Sequence, residues 1–113
     1  FATSTLSSPI AQNALVNLPD NPSTNFIRGY AAQVAGDEDA ARDFYQRAGD
    51  FAPALNNLAA LTNDETLYGR ANLLPEARAN LGEEVTLSPW QTLVSETGQP
   101  LLVTPALSDL RAA

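Results

Sequence analysis

Between residues 48 and 61 the chain reads AGDFAPALNNLAAL, and this stretch limits the possible folds more than any other. An alanine-rich helix ends at a Gly-Asp break, and a proline four residues later opens the next one. Gly49 suits the left-handed conformation that closes a helix, and Pro53 presets the backbone for a first turn. Leu55, Leu58 and Ala59 then supply an apolar stripe. A chain punctuated this way builds short helices joined by tight corners. Asn56 and Asn57 stand beside the stripe although asparagine is a poor helix former, because its amide competes for backbone partners. The pair is either exposed, bonded to a neighbouring loop, or placed for hydrogen bonds across a groove.

The flanking sequence extends the pattern. In NFIRGYAAQVAG, residues Phe26, Ile27, Tyr30, Ala31 and Val34 fall on one helical face. Ser23 or Thr24 is expected to cap this helix and Gly36 to end it. In DEDAARDFYQRAG, residues Ala40, Ala41, Phe44, Tyr45 and Ala48 repeat the same offsets, with acids in the first turn and Arg47 in the last, as the helix dipole favours. So short a corner between two such helices implies an antiparallel αα-hairpin.

Upstream, an uncharged Ser/Thr-rich arm precedes a helix expected to start at Ser8-Pro9 and stop before Pro19. Downstream, Thr62 and Glu65 resemble a capping box, TLYGRANLL reads as a short helix, and Pro75 opens another that Gly82 closes. Ser88-Pro89 and Thr104-Pro105 mark two more helix starts. The PLLVT stretch between them is expected to be extended, with EEVTL as its partner in a small β-pair. At 113 residues, 44% of them hydrophobic and only 7% aromatic, the chain has material for one domain of closely packed helices. The expected fold class is all-α. Its expected parts are an N-terminal arm and first helix (1–22), helical hairpins (23–82) and a C-terminal capping segment (83–113).

Charge and residue types exclude several functions. A net charge of −7 with no lysine argues against nucleic acid, whose binding needs a basic face. No apolar run is long enough to span a bilayer. With no His and no Cys, the common catalytic triads, thiol chemistry and typical zinc sites are excluded. Asp37, Glu38, Asp39 and Asp43 form one acidic cluster and Glu83-Glu84 another, either of which can be imagined as a calcium site or a glycosidase pair. A position at a helix start explains the first cluster better. No catalytic residue, metal or cofactor is expected, and the chain reads as a non-enzyme. Trp90 is the only tryptophan, read as a core plug in preference to a partner anchor.

Gly29, Ala32, Gly36, Ala41, Tyr45, Ala48 and Pro53 stand at the offsets of the tetratricopeptide repeat, and AGDEDAARDFYQRAGDFAPALNNLA resembles its Sel1-like branch. The resemblance covers about residues 25–62. It implies a short helical-hairpin array whose first helices present a binding side that includes Asn25, Arg28, Asn56 and Asn57. Independently of the resemblance, Trp90 is a further candidate contact as a large aromatic side chain.

The implied role is protein–protein interaction or scaffolding. In one form, copies stack head to tail into an extracellular filament, because a solenoid repeat cannot bury both end faces. The arm residues Phe1, Leu6 and Ile10 would then dock on a neighbour. The alternatives are a peptide- or partner-binding module within a larger protein, or an exported domain that binds a solute or glycan. The FATSTLSS start fits either an excised domain or a mature chain whose signal peptide has been removed, and both histories remain open. The expected location is extracellular or at the cell surface, with a cytoplasmic domain of a larger chain as the alternative. In an exported chain, Thr3, Ser4, Thr5, Ser7 and Ser8 are candidates for O-linked glycan.

Overall fold

Local capping chemistry sets the helix ends, and the corners between them set the packing. A computed structural model describes residues 19–105. In chain order these residues form α1 (Pro22–Val34), α2 (Glu38–Arg47), α3 (Ala52–Thr62), α4 (Glu65–Arg70), α5 (Pro75–Asn80) and α6 (Pro89–Glu96). The fold is all-α, with no strand among the described residues.

Most expected boundaries hold, and two caps move. The cap of α1 is Asn21, whose side chain accepts from the Thr24 N–H at 2.9 Å, and not Ser23 or Thr24. Pro22 is the reason, since its fixed φ and missing N–H suit the first helical position and draw the start upstream. Likewise α4 is capped by Asp64, which accepts from the Thr66 N–H, while Thr62 is the last residue of α3 and donates its hydroxyl to the Leu58 carbonyl. Asp37 caps α2, and Ser88 forms a reciprocal capping box with Gln91 at α6. Gly36 and Gly49 adopt φ of 85° and 64° at the two corners.

The first hairpin closes because Gly29 has no side chain. The Tyr45 ring lies where a Cβ on Gly29 would stand, 2.5 Å from the nearest ring carbon. Phe26, Ile27, Ala31, Ala41, Tyr45, Ala48, Ala54 and Leu58 form one core cluster across α1, α2 and α3. Leu55, Ala59, Tyr68, Ala71 and Ala77 form a second across α3, α4 and α5. Helix α3 belongs to both, so the Leu55, Leu58 and Ala59 stripe is buried as the periodicity requires.

The C-terminal part departs from expectation in two ways. Residues 101–103 belong to no helix, strand or turn and present the N–H and C=O of alternate residues to one side, as extended backbone does, while the expected pairing with 83–87 does not form. Their backbone is bonded instead by side chains from α3 and α5. The expected plug, Trp90, is 72% exposed, and α6 has no buried residue. Leu101 and Val103 cover the helices in its place, since Leu101 is buried and Val103 packs on the first core cluster. Phe1, Leu6, Ile10, the Ser/Thr positions of the arm, the helix from Pro9 and any helix after Pro105 lie outside the described residues.

Candidate functional site

Two consecutive asparagines on α3 and one on α5 converge on the extended segment. Asn56 and Asn57 are fully buried. The Asn57 Nδ2 donates to the Val103 carbonyl at 2.8 Å, and its Oδ1 accepts from the Val103 N–H at 2.8 Å. Asn80 does the same to Leu101, at 2.9 Å and 2.8 Å. Each carboxamide therefore reads both polar groups of one residue, as the edge of a neighbouring strand would.

Alternate residues of an extended chain present their N–H and C=O to the same side, so two clamps grip residues 101 and 103 and skip 102. Asn56 joins them by donating to the Leu101 carbonyl at 2.9 Å and to Asn57 Oδ1 at 3.1 Å, and by accepting from Asn80 at 3.0 Å. Asn57 also donates to the Tyr45 hydroxyl at 3.3 Å, and that hydroxyl donates to Gln33 Oε1 at 2.7 Å. All three amides thus use both N–H hydrogens. Satisfied, with two of its amides fully buried and Asn80 half-buried, such a network holds one orientation, because flipping any amide would set oxygen against oxygen.

Tyr45 connects this network to the first core. Burial pushes its hydroxyl well above the usual tyrosine range; the nearby Tyr30 adds to this, and the Asn57 hydrogen bond opposes it. A phenol with a folded pKa above its unfolded one contributes stability below the unfolded value, near pH 10, that is lost as pH rises through the folded value. Stability is therefore expected to fall above about pH 10. In urea unfolding between pH 8 and 11, Tyr45→Phe should flatten that fall, leaving the smaller share due to Tyr30 and Tyr68, which burial also raises. An unchanged slope would show that Tyr45 ionises freely in the folded chain.

The other expected contact residues are distributed differently. Asn25 is buried and donates to Asp20 Oδ1 at 2.9 Å, and the Arg28 guanidinium stands 4.0 Å from the same carboxylate. Both are thereby directed to the start of α1. Trp90 borders a cavity of about 700 Å³ that the segment also lines, with Tyr30, Val94 and Leu102 among its walls. The acids have local roles: Asp37 caps α2, Asp43 pairs with Arg47 at 2.9 Å, and Glu83 pairs with Arg78 at 3.4 Å.

Sequence reasoning missed Asn80, yet a signal for it exists. Tyr45, Arg47, Ala48, Ala54, Asn57 and Leu58 recur at one fixed offset as Tyr68, Arg70, Ala71, Ala77, Asn80 and Leu81. The paired tyrosines and alanines are all buried, and the paired asparagines perform the same act on alternate residues of the segment. In the second corner Asn72 stands at the position equivalent to Gly49 and Pro75 comes one residue earlier than the offset requires, which hides the repeat from a search by corner residues. Comparisons with protein-family models, curated proteins and solved structures gave no match.

Proposed function

We propose that this chain is a non-enzymatic protein-interaction module of tetratricopeptide type that grips extended peptide backbone between α3 and α5. The observation that carries this reading is the pair of two-point clamps, Asn57 on residue 103 and Asn80 on residue 101. A helix pair needs no such arrangement to pack. Buried amides cost desolvation unless every donor and acceptor finds a partner. Asn56 and Asn57 are fully buried and Asn80 partly so, and their partners are one another, Tyr45 and the main-chain groups of the extended segment. Recognition through the main chain tolerates many sequences, while the burial of Leu101 asks for an apolar side chain at that position. The chain's own residues 101–103 occupy the groove, so a ligand in trans must replace them.

The test uses the full chain carrying Val103→Pro, which removes the N–H that Asn57 accepts and so loosens the resident segment. A synthetic peptide GQPLLVTP, the sequence of residues 98–105, is titrated into it by calorimetry. The variant should bind this peptide at least about tenfold more tightly than the unsubstituted chain does, since only the latter's groove is filled by a tethered competitor. A peptide with proline at the position of Val103 should not bind. Failure of the first peptide to bind a folded Val103→Pro chain would overturn the reading.

A further inference from the structure

We infer that the extended segment of one copy docks in the groove of a second copy, so that two chains exchange residues 99–104. This rests on the backbone-gripping reading and adds the identity of the partner, another molecule of the same chain. The connector between α5 and the segment has the features that exchange requires. It leaves the fold beside Asn80 and returns to it at Leu101, which Asn80 itself holds. Between those points α6 buries no residue, and Trp90 and Leu93 are mostly exposed. Among the described residues, one side-chain hydrogen bond ties 84–100 to the helices before it, from Gln91 Nε2 to Glu76 Oε2 at 3.0 Å. Little therefore holds the connector down.

Reach does not limit the exchange. With α6 kept helical, residues 82–100 can extend about 45 Å, whereas the longest dimension of the fold is 39 Å. The exchanged state also makes no new demand on chemistry. Each groove receives the same Leu101 and Val103, with the same amide bonds, so the exchange is opposed mainly by the entropy of association, which concentration offsets. Reciprocal exchange fills both grooves and closes on itself as a two-fold pair.

The experiment mixes two full-length variants that are each defective in one half of the contact. Asn57→Ala weakens a groove and leaves its segment intact, whereas Val103→Pro weakens a segment and leaves its groove intact. Circular dichroism checks that both are helical, and Asn80→Ala replaces Asn57→Ala should the latter not fold. On equimolar mixing, light scattering and native mass spectrometry should show a species of twice the 12.0 kDa chain mass containing one copy of each variant, absent from either variant alone. A mixture that stays at the monomer mass while Val103→Pro still binds the free 98–105 peptide overturns the exchange and leaves the peptide-gripping reading standing. Loss of peptide binding as well overturns both.

Discussion

Asn57→Ala is expected to lower the unfolding free energy by about 3 kcal/mol, a large share of what a domain of this size possesses. The substitution removes one side chain but strands several groups. Val103 loses a partner for its N–H and one for its carbonyl, Asn56 loses an acceptor, and the Tyr45 hydroxyl loses a donor. Each group left buried without a partner costs about 1–3 kcal/mol, and release of the segment to water limits the total. Asn56→Ala provides the comparison. Its main-chain target, the Leu101 carbonyl, keeps the bond from Asn80, so its cost should be about 1–2 kcal/mol. Urea unfolding followed at 222 nm measures both. The Asn57 variant should also be cut faster by protease between residues 97 and 105. Equal costs for the two substitutions would mean that Asn57 fills space without clamping the segment.

Gly29→Ala should destabilise by about 2 kcal/mol, against the usual sense of a glycine-to-alanine change within a helix. Helix propensity alone would favour alanine by about 1 kcal/mol. The new Cβ, however, would stand 2.5 Å and 2.6 Å from two carbons of the Tyr45 ring. That ring is 1% exposed, lies 6.3 Å from the Phe26 ring between centroids, and has its hydroxyl bonded to Gln33 and Asn57. It has no free direction in which to yield, so overpacking outweighs propensity. A double-mutant cycle isolates the cause. In a Tyr45→Ala background the same Gly29→Ala change should become neutral or stabilising, because the ring it strikes is gone. Should Gly29→Ala stabilise the unaltered chain, the contact between α1 and α2 is looser than these distances indicate.

What could be read in the sequence follows the range of the interactions involved. Gly36, Gly49, Pro53, Pro75 and the Ser88-Pro89 start each act within a few residues, and their helix ends and starts appear where expected. The displaced caps at Asn21 and Asp64 are failures of the same local kind, in which a nearby Asn or Asp outcompeted Ser or Thr. The clamp is different in kind. Asn57 meets Val103 across 46 positions of the chain, and nothing local to either residue announces the other. PLLVT reads as extended and the asparagines as candidate partners of a loop, but the extended run is bonded by those side chains and not by a strand. The exposure of Trp90 has a related reason. The size of its side chain argues for burial over the last helices, but α6 buries no residue, and the apolar residues that pack on the domain from this part of the chain are Leu101 and Val103, held by Asn56, Asn57 and Asn80.

The groups that hold the segment are carboxamides, a phenol and main-chain amides, with no formally charged side chain among them. In a chain of net charge −7 this separates two properties that acidic proteins often link. Counterions screen the repulsion between molecules as ionic strength rises, while a grip made of neutral dipoles in a buried groove is neither screened nor titrated between the carboxylate and tyrosine ranges. Brine or mild acid would thus alter how closely two such molecules approach and leave the hold itself almost untouched.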